Sequence, residues 1–480
     1  MVSNAETAVL AAVAERAMVE RGFLPHPPPA ALVEAQAQQA LQNAGDARNL
    51  SDLPWTSIDN PESRDLDQVE AVEAASGATK LYVGIADVEH SVPVPSANDL
   101  FSAHNTTSVY TGVRTFPMLP ERLSFDVTSL LANQKRLAVV IETLIAPDGQ
   151  VKGGSIYTAL IENKAKLDYP SISAWLDGKA GPPPGLAQNP ELQKQIELQD
   201  GLARMLSAAR KRGGALDIDT QETRVLTNEH GVVTTLAART QDRAGSIIEE
   251  LMIASNAALA RELDARGEPS IRRVVKEPER WARIVAYAGG FGVTLPSAPS
   301  SVELARFVDK MRGDLPARFG EISLALVKLI GYGEYVAHQP GAKEIGHFGL
   351  AALAYSHATA PNRRYVDLVT QRIVKKTHPY SLPDLAAIAA RCTERETAAK
   401  KVERRVTKAA GALLLKSRIG EVFRGVITGA GPKGTYIRIL EVPVEGMVVS
   451  GGKGLQVGDT VRVKLRNVSV EKGYIDFQAA

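Results

Sequence analysis

The hydrophobic pattern of this 480-residue chain changes period twice, and that order limits the folds open to it. From Trp55 to Asp168 the pattern is strand-like, with candidate strands at Val69–Ala74, Leu81–Val88, Leu137–Ile145 and Ser155–Leu160. Ala146-Pro147-Asp148-Gly149 reads as a turn between the last two. From Pro190 the period lengthens to that of helices, clearest over Ser246–Ala265, Pro278–Gly289, Ser301–Gly313 and Pro383–Ser417. From Gly420 to Phe477 short strands return between Gly-rich turns, as in a five-stranded OB barrel. Strands first and helices later predict an α+β domain. The expected layout is a helical module over 1–48, a main domain over 49–417 and an OB-fold domain over 418–480. The module comprises helices at Glu6–Arg21 and from Pro29 up to Ala44. They either form a helix-turn-helix-like unit or pack as an amphipathic pair on the main domain.

A net charge of +2 announces no nucleic-acid partner globally, so any such partner must meet a local basic patch. Cys392 is the only cysteine, which excludes an intramolecular disulfide and a Cys-based zinc cluster and suits a reducing cytoplasm. No secretory leader is visible at Met1–Glu6, and no run of 18 apolar residues exists to span a membrane. A cytoplasmic protein is expected.

Asp59, Asp65 and Asp67 fall within nine residues. In an extended segment Asp65 and Asp67 point to one face, with attachment points ~6.6 Å apart. That span suits oxygen ligands around one Mg2+ or two metals ~3.5–4 Å apart. An Asp-rich turn that binds nothing is the plainer alternative. An EF-hand is excluded, because Glu70 stands where its Gly belongs. Arg363 and Arg364, after Ala360-Pro361, can aim planar donors at phosphate oxygens or bridge to a nearby acid. Tyr110 can stack on a base or pack a strand. Gly429–Gly434 matches a dinucleotide fingerprint, but a strand follows it and not a helix.

Together these stretches resemble the RNase II/RNase R (RNB) family of exoribonucleases, from about Trp55 through Gln478. Thr56-Ser57-Ile58-Asp59 with Asp65-Leu66-Asp67 looks like its acidic motif, and Gly84–Val88 like the strand that follows. Tyr110 and Pro117–Pro120, Ile248–Met252, Tyr355–Leu368 and Gly420–Gly425 resemble further family segments. The resemblance implies an RNB catalytic domain with a C-terminal OB domain. It implies processive 3′-to-5′ hydrolysis of RNA to nucleoside 5′-monophosphates by a two-divalent-metal mechanism. Catalytic roles then fall to Asp67, Arg363, Tyr110 and Glu403. Mg2+, or Mn2+, would be held by Asp59, Asp65, Asp67 and Gln68. RNA would enter as a single strand by its 3′ end and meet Tyr110, Glu250, Arg364, Phe423, Tyr436, Arg438, Lys464 and Arg466. A monomer is expected. Several positions depart from the family pattern. Gln68 replaces a fourth Asp, Ala360 and Asn362 replace Ser and Ile, and the OB segment Glu445–Val449 lacks a His. The stretch ahead of the main domain is too short for the family's cold-shock domains. Gln68 also leaves open a catalytically silent RNA-binding protein of the same fold.

Overall fold

Two helices, α1 (Asn4–Glu20) and α2 (Pro29–Ala37), open the chain in a computed structural model that describes residues 4–41, 45–218, 223–228, 232–238, 242–432 and 434–479. Helix α2 stops at Ala37, where Gln38 turns extended, short of the expected end at Ala44; Ala44 itself lies outside the described residues, as does Lys433 of the Gly429–Gly434 turn. Strands β1 (Arg48–Asn49), β2 (Thr56–Asp59), β3 (Gln68–Ala75) and β4 (Ala78–Ala86) follow. Helix α3 (Ala97–Asn105) leads into a small ribbon, β5 (Val109–Tyr110) with β6 (Thr115–Phe116). Strands β7 (Lys135–Ile145), β8 (Val151–Glu162) and β9 (Ala165–Asp168) complete a seven-stranded sheet ordered β1-β8-β7-β4-β3-β2-β9. Its pairs are antiparallel except β1 with β8 and β2 with β9. The four expected strands are all present; β3, β7 and β8 run beyond their apolar stretches, while β4 starts three residues early and stops at Ala86, short of Val88.

Helices α4 (Tyr169–Leu176), α5 (Pro184–Ala187) and α6 (Pro190–Arg212) come next, then a hairpin of β10 (Thr223–Thr227) and β11 (Val233–Ala238). Helix α7 (Arg243–Ala265) lays Ile247, Leu251 and Ala254, at helical spacing, into the core formed with the sheet. Beyond β12 (Ser270–Val274), helices α8 (Trp281–Gly289), α9 (Ser301–Asp314) and α10 (Phe319–Ile330) enclose a separate cluster around Trp281 and Phe307. Strand β13 (Glu334–His338) returns to pair with β12. Helix α11 (Tyr365–Lys375) adds Val366, Leu368 and Val369 to the main core. The 34-residue helix α12 (Leu382–Leu415), started by a Ser381–Asp384 capping box, runs on to the barrel.

That barrel is closed, ordered β14-β15-β16-β18-β17, from β14 (Val422–Gly431), β15 (Gly434–Ile439), β16 (Glu445–Ser450), β17 (Thr460–Ser469) and β18 (Tyr474–Ala479). Helix α1 lies along α12, where Ala17, Met18 and Phe23 meet Val402 and Val406. Helix α2 packs on α3 instead, and Glu34 accepts hydrogen bonds from the backbone of Ala97 and Asn98. Gly84 sits at the middle of β4 because Trp55 and Ile161 close over it; a Cβ there would meet Ile161 Cδ1 at 3.0 Å.

Candidate functional site

The acidic segment occupies the bend between β2 and β3. Asp59 ends β2 beside Asp168 of β9, and Gln68 opens β3 opposite Ile85. Between them Leu66 is fully buried, and its N–H donates to Ser129 Oγ at 3.0 Å. With Leu66 turned into the core, Asp65 and Asp67 turn the other way, as extended alternation requires. Lys166 Nζ donates to the carbonyls of Pro61 and Ser63 and braces the bend.

Two distant segments close on this bend. One runs from Tyr355 to Arg364. Three of its N–H groups are taken by side chains: Ala358 by Asn256, Ala360 by Asp367, and Asn362 by Asp67, at 2.8–2.9 Å. The same Asp67 accepts from Arg363 Nε at 2.9 Å. Asn362 also meets Thr128 Oγ1 at 2.5 Å, which gives its departure from the family pattern a local partner. The other segment carries Tyr110. Ser108 N–H donates to the Arg363 carbonyl, and Tyr365 N–H donates to Thr106, so the two segments are stitched by backbone. The Tyr110 hydroxyl donates to Asp65 Oδ2 at 2.5 Å, and its N–H donates to Glu403 Oε1 at 3.3 Å. Glu403 thus stands on α12 against the Tyr110 backbone. Gly112, with φ +79°, lets the β10–β11 hairpin approach; a Cβ there would sit 2.7 Å from Val225.

Burial pushes Asp59 and Asp67 up to about 7; Arg363 opposes this and Asp65 adds to it. Burial of its hydroxyl end, with the charge of Asp65, likewise raises Tyr110 well above its usual range. Among the described residues no three Asp, Glu, His or Cys side chains are arranged to hold a metal ion. Asp65 is turned to Tyr110, and both Asp67 oxygens are engaged. The donor set nevertheless fits a hard cation in kind and charge. It is all oxygen, its carboxylates repel one another, and buried Asp59 Oδ2 has no hydrogen-bond partner.

Beside the acids lies a cavity of about 270 Å³, lined by Glu249, Asn256, Tyr355, Thr359, Arg363 and Arg364 among others. Arg364 faces it while paired to Asp367 at 2.7 Å, so it is both wall and ion-pair partner. Two expected RNA contacts are corrected. Glu250 is buried in a two-bonded ion pair with Arg210 of α6, at 2.8 and 2.6 Å, and its neighbour Glu249 lines the cavity. Phe423 is 1% exposed, edge-on to Phe477 inside the barrel, because β14 alternates and Phe423 falls on its inner face. Tyr436 and Arg438 lie on β15 beside Lys408 and Glu445 of the α12 seam. Lys464 and Arg466 are exposed on β17, across β14 from them. Sequence reasoning placed Asn256 and Asp367 only within family-like segments and gave them no role, and it missed Arg210, whose partner Glu250 lies forty residues on. It also missed Glu70, an acid set among apolar residues of β3.

Residues 47–378 match the RNB domain, and residues 421–480 match the RNase II-type exonuclease C-terminal S1 domain. Ribonuclease R 1 of Lactococcus lactis is 30% identical over 458 residues, covering 88% of this chain and 55% of the relative. Ribonuclease R of Thermotoga maritima is 30% identical over 467 residues, covering 90% and 64%. The chain therefore spans a little over half the length of these curated relatives. The apo form of Mycoplasma genitalium RNase R superposes with a TM-score of 0.87 at 24% identity, over 97% of this chain and 77% of that one. No helix among the described residues is long and apolar enough to cross a membrane.

Proposed function

Because the chain belongs to the RNB-domain family, we propose that it is a processive 3′-to-5′ exoribonuclease that hydrolyses RNA to nucleoside 5′-monophosphates with Mg2+ or Mn2+. One observation carries this reading. Arg363, Tyr110 and three aspartates meet beside a cavity that also holds Tyr355 and Arg364. A single-stranded 3′ end entering that cavity would bring its last phosphodiester to the acids.

Arg363 spends its Nε on Asp67 and keeps its terminal nitrogens for phosphoryl oxygens, where charge grows during displacement. Tyr110, a residue 41% exposed, fixes Asp65 through its hydroxyl and would present its ring to the terminal nucleotide. Arg364, held by Asp367, offers a fixed positive charge to the incoming backbone. Asp59, Asp65 and Asp67, with Gln68 at the margin, would hold divalent cation. When bound, the cation would acidify a water and offset charge on the leaving oxygen. Tyr436, Arg438, Lys464 and Arg466 would guide the strand across the barrel.

The test is incubation of RNA carrying a 5′ label and a free 3′ overhang with each metal. Shortening from the 3′ end with release of mononucleotides is expected. A second reading, RNA binding without hydrolysis, is favoured by the missing charge at Gln68. Retention of intact RNA with either metal would select it.

A further inference from the structure

Glu70 is a buried acid that none of the roles above uses. It lies two residues beyond Gln68 in β3, on the same face of the strand, and directly opposite Thr56 of β2. Asp59 is three residues further along β2, ~10 Å at strand spacing. The Glu70 side chain is 0% exposed, and neither carboxylate oxygen has a hydrogen-bond partner. The amide of Gln199 passes close by, yet its nitrogen is spent on Thr56 Oγ1 at 3.0 Å and on the Glu70 backbone carbonyl at 3.3 Å. The charged group near Glu70 is Asp59, another carboxylate, whose buried Oδ2 is also unpartnered. Two buried acids with three bare oxygens between them are costly to keep in water-poor surroundings without a cation.

We propose that Glu70 is a carboxylate of the divalent-cation site, acting with Asp59 and supplying from one pleat further back the charge that Gln68 does not carry. A glutamate reaches one methylene further than an aspartate, which suits a carboxylate set back along the strand. Glu70 and Asp59 would approach the ion from the β2–β3 side, while Asp65 and Asp67 lie on the side of Tyr110 and Arg363. The rival arrangement is a protonated Glu70 donating to Gln199 Oε1, which is itself unpartnered.

The inference rests on the metal-dependent reading above, so the experiment separates the two. Mn2+ is titrated into metal-stripped full-length protein, and free Mn2+ is followed by electron paramagnetic resonance in the absence of RNA. Glu70→Gln, nearly isosteric, is expected to weaken Mn2+ binding about 10- to 100-fold. The pair Gln68→Asp with Glu70→Gln is expected to recover most of that loss, which a purely structural role for Glu70 would not allow. Wild-type affinity in Glu70→Gln would overturn the proposal and select the protonated pair with Gln199. Absence of Mn2+ binding by the wild-type protein would overturn the metal reading itself, and this proposal with it. Should Glu70→Gln not fold, Glu70→Asp carries the test, since it keeps the charge and shortens the reach. Weaker binding then supports the assignment, and unchanged binding overturns it.

Discussion

The Tyr110 hydroxyl and the Asp65 carboxylate are 2.5 Å apart, and the tyrosine is the donor. A tyrosine hydroxyl is protonated at neutral pH in any case, and burial of this one, with the neighbouring Asp65 and Asp67 charges, raises it further, so the bond persists. Tyr110→Phe retains the ring and loses the donor, leaving Asp65 unsteered. Turnover of a single-stranded RNA is expected to fall about 10- to 100-fold, the worth of a hydrogen bond to a charged group. RNA affinity should hardly move. Steady-state rates beside a filter-binding titration would decide it, and unchanged turnover would remove the hydroxyl from the reaction.

Arg363 and Asp67 form the second pairing at the bend, with Asn362 N–H on the other Asp67 oxygen. A lysine at 363 offers a point charge but no fork, so it cannot both hold Asp67 and reach phosphate. Arg363→Lys is expected to lower the single-turnover rate about 10²- to 10³-fold. Asp67→Asn should stop hydrolysis while leaving RNA binding nearly intact. Equal loss of binding in both variants would recast the pair as an RNA clamp.

Much of this arrangement can be traced in the residues themselves. The short, mostly apolar runs of β3 and β4, buried without alternation over Gln68–Val72 and Leu81–Ala86, mark the sheet, and the acids between β2 and β3 mark the site. The inner face of β14 was legible too, since Phe423, Gly425 and Ile427 are two apart; assigning Phe423 to stacking ignored that period. Glu250 followed the same course. It falls with Ile247, Leu251 and Ala254 on the buried side of α7, where Arg210, forty residues earlier, matches its charge. No local pattern announces such a partner. The stitching of Ser108 to Arg363 and the grip of Asp67 on Asn362 are tertiary in the same way. Glu70 did carry a signal, an acid inside an apolar strand. Its meaning appears only once Thr56 and Asp59 are seen alongside.

Asp59 and Asp67 bear on stability. In the unfolded chain each releases its proton near 3.8, whereas in the folded protein each holds it to about 7. The folded state therefore binds more protons between those values. The stability they contribute is full below about 3.8, is lost as pH rises to about 7, and is level beyond. In EDTA, the melting temperature is expected to drop between pH 5 and pH 8. Asp59→Asn should flatten part of the drop, and Mg2+ at pH 8 should reverse part of it. A melting temperature indifferent to both changes would mean that these acids meet no such burden.

The barrel separates packing from RNA contact. Phe423→Ala empties a site that is 1% exposed against Phe477, and a cost of about 3–5 kcal/mol is expected. A low-temperature unfolding step confined to the barrel would report it. Lys464 and Arg466 are exposed on β17, so their replacement by glutamine should leave that step untouched. If each meets one phosphate, the double variant should lower the slope of log affinity against log salt by about 2, uniformly across RNA sequences. An unchanged slope would move the strand's path off β17, toward Tyr436 and Arg438 at the α12 seam, where Tyr436→Ala would then carry the loss.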